Sequence, residues 1–128
     1  RNHRALQVPA ANVVFGHFDL HGGNILLDQR MRLSGVLDFG NCKRGDLHQD
    51  LSAMNLSSPD LADRIGRHYA SLTGRRPNRL LVQHYTTIFY LNLLAGLKRQ
   101  RADKKYSYWL NELNGWYDHL LAGRARRT

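Results

Sequence analysis

Apolar residues come in short runs between Val13 and Leu37 and recur at helical spacing beyond Asp50. Val13-Val14-Phe15 is a short β-rich run, and Gly16 breaks it. Residues 17–24 are polar and contain glycine, which predicts a loop. Ile25-Leu26-Leu27, inside the stretch from Asn24 to Asp28, predicts a short buried strand. Gln29 to Arg32 makes a turn, and Leu33 to Leu37 returns as the second strand of a hairpin. Upstream, residues 1–12 read as the end of a helix followed by a turn at Pro9.

After Asp38 the pattern turns helical. Asp50 to Leu56 is the start of a short apolar helix. Ser58-Pro59-Asp60 opens the next: a capping hydroxyl, a proline suited to the first turn, and an acid at the positive helix end. That helix runs to about Thr73 and stops at Gly74. Pro77 opens a long helix in which Leu80, Leu81, Tyr85, Ile88, Leu91 and Leu94 recur with further apolar residues between them, so burial on several sides is expected. A last helix covers Lys105 to Leu121, with Tyr106, Trp109, Leu110, Leu113, Trp116, Tyr117 and Leu120 on its apolar face. The expected class is therefore α+β, a β-hairpin followed by a helical bundle.

Size and composition narrow this picture. A chain of 128 residues suits one domain or one large lobe. With 42% apolar and 23% charged residues it has a globular, not a disordered, composition. The longest uncharged apolar stretch, Tyr85 to Leu97, falls short of the roughly 20 residues a bilayer span needs, so no membrane partner is expected. One cysteine, Cys42, allows no internal disulfide, which fits a reducing cytoplasm. The chain opens on Arg1 with no secretory leader pattern and reads as a segment of a longer polypeptide. The net charge of +9 raises nucleic-acid binding. The cations gather at Lys98, Arg99, Arg101, Lys104, Lys105 and again at Arg124, Arg126, Arg127, with no aromatic platform among them, so a basic nucleic-acid module is a minor alternative. Apolar surface left uncovered in a segment of this kind predicts self-association.

Two polar clusters flank the hairpin: His17-Phe18-Asp19-Leu20-His21-Gly22-Gly23-Asn24 and Asp38-Phe39-Gly40. Phosphoryl transfer from ATP needs a carboxylate to orient the attacking hydroxyl and accept its proton. It also needs hard oxygen ligands for one or two Mg²⁺ ions. Asp19 can supply the carboxylate, Asn24 an amide oxygen, and Asp38 a charged metal ligand, with the hairpin bringing the last two together. His17 and His21 with Asp19, and His48 downstream, could instead hold a transition metal in a metal-dependent hydrolase. That reading leaves Asn24 and the Asp38-Phe39-Gly40 run unused.

The order His-x-Asp-x-x-x-x-Asn followed by Asp-Phe-Gly resembles the kinase catalytic pattern. Its surroundings, GHFDLHGGNILLD followed by SGVLDFGNCKRGDLHQDLSAM, resemble the aminoglycoside phosphotransferase and choline kinase-like family of small-molecule kinases. The sharp matches cover about residues 12–54. The resemblance implies an ATP-dependent, Mg²⁺-dependent kinase acting on a small-molecule hydroxyl, with antibiotic resistance as one outcome should the acceptor be an aminoglycoside. It assigns Asp19 as catalytic base, Asn24 and Asp38 as metal ligands, and His21 as a phosphate contact. His17, Asp46 and Asp50 become supports of the catalytic loop. Residues 1–128 would then be a partial C-terminal lobe of a protein-kinase-like fold. Residues 13–40 would form the catalytic hairpin and 47–122 the helical part, with the ATP-gripping lobe absent and the segment inactive alone. A pseudokinase-like binding module is the principal alternative. Phe18 stands where the family usually has glycine, and Gly22 where proline is common. The ten acids against nineteen Lys and Arg also offer a cationic aminoglycoside little complementary charge. Asp103, Glu112 and Asp118 are read as solvated helix charge.

Overall fold

The computed structural model describes residues 8–125. It has the expected α+β order, short strands first and then four helices. The predicted helix end upstream of Val8 lies outside the described residues. The chain divides between Thr86 and Thr87 into two compact units.

In the first unit, β1 (Val13–Gly16) pairs antiparallel with β4 (Lys43–Asp46), in register Val13 to Asp46 through Gly16 to Lys43. The predicted hairpin lies between them as a separate antiparallel pair, β2 (Ile25–Leu27) with β3 (Leu33–Val36), but Leu26 and Leu27 are exposed where the sequence predicts a buried strand. Its turn is fastened by Asp28, whose carboxylate accepts from the Arg30 and Arg32 amides and from the Arg32 guanidinium. Those bonds, led by the Arg32 amide, hold the Asp28 carboxyl below its usual range. β4 corrects the expectation that strand structure ends with the hairpin. Its residues, Lys-Arg-Gly-Asp, carry no apolar signal, so its strand character comes from the backbone ladder to β1.

Helix α1 (Leu47–Ser57) starts earlier than expected, because Asp46 caps it: its carboxylate accepts from the His48 amide at 2.9 Å. Helix α2 (Pro59–Thr73) begins and ends as its punctuation predicts. Ser58 Oγ accepts from the Leu61 amide, and Gly74 closes the helix at φ 70°. Leu47, Ala53, Met54, Ala62 and Val82 form the buried apolar core of this unit. Beside them, the Asn55 side-chain amide donates to Thr86 Oγ1 at 2.9 Å, and Thr86 donates on to the Val82 carbonyl.

Helix α3 (Arg79–Arg99) runs from the first unit into the second, and α4 (Asp103–Ala125) completes the second. In the second unit the buried Tyr90 ring packs on Trp109 and Trp116, at centroid distances of 6.3 and 6.0 Å. Burial, with help from the Glu112 and Tyr108 charges, pushes the Tyr90 hydroxyl above its usual range. Leu94 and Leu97 are buried too, but Leu80, Leu81, Ile88, Phe89 and Leu91 are exposed. The apolar residues of α3 go all round the helix, whereas its packing partners cover only part of its circumference. No helix among the described residues is long and apolar enough to cross a membrane.

Candidate active site

The β1–β4 ladder fixes where the site forms. Gly16 pairs with Lys43, so the loop leaving β1 and the turn entering β4 start from neighbouring backbone. The loop leaving β1 carries His17, Asp19, His21 and Asn24; the turn entering β4 follows Asp38.

His17 is buried and both ring nitrogens are engaged. Nε2 sits 2.8 Å from the Leu37 carbonyl, and Nδ1 accepts from the Asp19 amide at 3.3 Å. The Phe39 ring packs on the imidazole at 5.1 Å. His17 therefore clips the start of the loop to the end of β3, and neither nitrogen is left for a metal. Asn24 is also buried. Its side-chain NH2 donates to the Asp19 carbonyl at 2.9 Å, and its own backbone carbonyl accepts from the Leu37 amide at 2.8 Å. Asp38 is the next residue along. It sits in the left-handed region, at φ 58° and ψ 65°, with an exposed side chain. Asn24 and Asp38 thus flank one backbone hydrogen bond, and the Asn24 amide is tied to the main chain of Asp19.

The Asp19 carboxylate accepts from the Asn41 side-chain amide on Oδ2 at 3.3 Å, while its Oδ1 lies 3.9 Å from His21 Nε2. His21 caps the tight turn Gly22–Asn24, its Nδ1 accepting from the Gly23 amide at 3.1 Å, so Nε2 carries the ring proton in the neutral form. Cys42 is a free, half-buried thiol next in sequence to Asn41.

Helix α1 holds the loop from below at two points. Asp50 accepts from the Phe18 amide at 2.7 Å, and Ser57 Oγ accepts from the Gly22 amide at 2.8 Å. Ser57 was not legible as a site residue, since a serine near a helix end carries no distinguishing signal. Asp46 serves the helix itself. One oxygen takes the His48 amide and the His48 ring at 2.6 Å, and the other takes the Tyr85 hydroxyl at 2.9 Å. Its support of the loop runs through the seating of α1. His48 is engaged there and fully enclosed, remote in role from any metal. Among the described residues, no three His, Cys, Asp or Glu gather as a transition-metal site would require.

Phe18 has φ 60°, a conformation that costs a non-glycine residue about 1 kcal/mol or more. Here the charged bond that the Phe18 amide donates to Asp50 holds the conformation, and the ring lies over Gly45, with Lys43 Nζ 4.8 Å from its centroid. A Cβ on Gly45 would meet the ring edge at 2.5 Å, and one on Gly16 would run into the Asp50 carboxylate, its Cγ at 2.6 Å. That carboxylate is anchored and cannot swing clear. Gly16→Ala is expected to destabilise the first unit by about 1–3 kcal/mol, read by urea unfolding of the chain. Unchanged stability would show the Asp50 contact to be loose.

Residues 1–81 match the phosphotransferase enzyme family, and the chain belongs to it. The matched stretch holds the whole loop, the hairpin, Asp38 and α1. No curated protein and no solved structure matches the chain.

Proposed function

We propose that this chain carries the catalytic loop and metal-holding side chains of an ATP-dependent kinase. The kinase would transfer the γ-phosphate to a hydroxyl of a small, amino- or hydroxyl-bearing molecule. Residues 1–128 would form part of its C-terminal lobe, working in the cytoplasm beside an ATP-gripping lobe. The observation that carries the reading is the lacing of three chain segments at one place. The Asn24 amide holds the Asp19 carbonyl, Leu37 holds the Asn24 backbone, and His17 holds the Leu37 carbonyl.

The donor set suits a hard divalent cation. The Asn24 NH2 is already spent on Asp19, so the atom it offers a metal is its amide oxygen; the exposed Asp38 carboxylate is the second ligand. Asn24 and Asp38 would hold Mg²⁺, which neutralises phosphate charge when bound. Asp19 would orient the acceptor hydroxyl and take its proton as the new oxygen–phosphorus bond forms and the bond to the ADP oxygen breaks. The Nε2–H of His21, beside the free side of that carboxylate, is placed to donate to a phosphate oxygen. Asp50, Ser57 and His17 keep the loop in shape, so that the rate enhancement comes from positioning.

The test is ADP release by the full polypeptide against a panel of hydroxyl-bearing amines and sugars. Activity should require a divalent cation, and Asp38→Asn should raise the Mg²⁺ concentration needed by at least about tenfold. Transfer that survives chelation, or is indifferent to Asp38→Asn, would refute the reading. Nucleotide binding without turnover would assign the chain to the pseudokinase-like class.

A further inference from the structure

We propose that Asn41 is a positioning residue for Asp19, holding one carboxylate oxygen so that the other faces the acceptor. This rests on the kinase reading above. Asn41 ends the tight turn Phe39–Asn41, and Cys42 closes that turn by donating to the Phe39 carbonyl at 3.1 Å. The next residue, Lys43, is paired with Gly16 at the end of β1, and Asp19 lies three residues beyond Gly16. The Asn41 side chain is thereby set on backbone braced by a strand pair, and the loop it reaches is braced by α1. Its Nδ2 donates to Asp19 Oδ2 at 3.3 Å. Oδ1 is left on the side of His21 Nε2.

An amide suits this place better than either neighbour in chemical space. Its NH2 fixes a rotatable carboxylate without adding charge, so Asp19 can still gain a proton. An aspartate at 41 would match the shape of Asn41 but point a second anion at the base. Two carboxylates at hydrogen-bond distance disfavour double ionisation. An alanine would only free the carboxylate to turn. The order of damage therefore separates positioning from simple packing, for which the isosteric aspartate would be the milder change.

The experiment compares Asn41→Ala and Asn41→Asp in the full polypeptide for kcat and KM of the acceptor, with a second readout on the 128-residue chain. Asn41→Ala should lower kcat roughly 10- to 100-fold with KM within about twofold, the scale of a lost hydrogen bond to a charged group. Asn41→Asp should be worse, because it sets a second anion against the Asp19 carboxylate. In the chain itself, the Asn41 side-chain NH2 signals in nuclear magnetic resonance should move on Asp19→Asn. Asn41→Asp retaining wild-type kcat, a loss confined to KM, or NH2 signals blind to Asp19→Asn would each overturn the proposal. A polypeptide with no transfer at all, whose NH2 signals do respond, would defeat the kinase reading and leave the Asn41–Asp19 pairing intact.

Discussion

On the proposed kinase reading, Asp19→Asn in the full polypeptide is expected to lower kcat by roughly 100- to 10,000-fold, the range spanned by a lost general base, while leaving the fold unmoved. The separation of the two effects follows from how the residue is held. Its main chain carries the structural load: the amide donates to His17 Nδ1 and the carbonyl accepts from Asn24. Neither bond involves the side chain. Among the described residues the carboxylate has only the long bond from Asn41 and the distant His21. An asparagine can present its carbonyl oxygen to Asn41, but it cannot take a proton from a hydroxyl. Unfolding by urea should therefore shift by less than about 0.5 kcal/mol, as for a surface substitution. A comparable fall in stability would mean that the side chain holds the loop up. A preserved kcat would show that hydroxyl deprotonation needs no base here.

The parts of this site legible in the sequence are those whose residue types have few alternative uses in that order. His-x-Asp-x-x-x-x-Asn and Asp-Phe-Gly at the two ends of a hairpin are such a pattern, and Ile25–Leu27 and Leu33–Val36 are apolar enough to mark the hairpin between them. Helix α2 was equally readable, since Ser58, Pro59 and Gly74 act locally on the backbone. What escaped depends on partners distant in sequence. β4 is a strand because β1 lies beside it, and no property of Lys-Arg-Gly-Asp says so. Asn41 and Ser57 act on the loop only through that placement.

Phe18 makes the same point from the other side. The family resemblance marks it as a departure from glycine, with bulk beside the base. The backbone nevertheless adopts the left-handed turn that glycine would take, at φ 60°. The bond that the Phe18 amide donates to Asp50 fixes it, and Gly45 leaves room for the ring. Likewise α3 reads as buried on several sides, yet several of its large apolar residues are exposed. Periodicity reports what a helix could bury, not how much of its circumference has a partner.

The largest effect on stability is expected at Asp46. Asp46→Ala should destabilise the first unit by about 3 kcal/mol, measured by urea unfolding of the chain near neutral pH. It removes the cap of α1, the partner of the enclosed His48 ring and the acceptor for the Tyr85 hydroxyl. These losses share one carboxylate and will not add fully. The same network dictates the pH dependence. Burial pushes the Asp46 carboxyl up, but the His48 amide, the His48 ring and the Tyr85 hydroxyl together outweigh it and hold the group below its ordinary 3.8. The folded state therefore binds this proton more weakly than the unfolded chain does. Its contribution is present above pH 3.8 and fades as pH falls through the lower folded value. Tyr85 is displaced the opposite way, raised above 10.0 by burial, by its bond to Asp46 and by the Asp46 charge. Its contribution is complete below pH 10.0 and is lost as pH rises through the raised folded value. Asp46→Ala should thus flatten the stability profile at both ends while lowering its middle. A variant that lost stability equally at every pH would show that the Asp46 charge carries none of the effect. One that lost none would show the buried triad to be held by its surroundings.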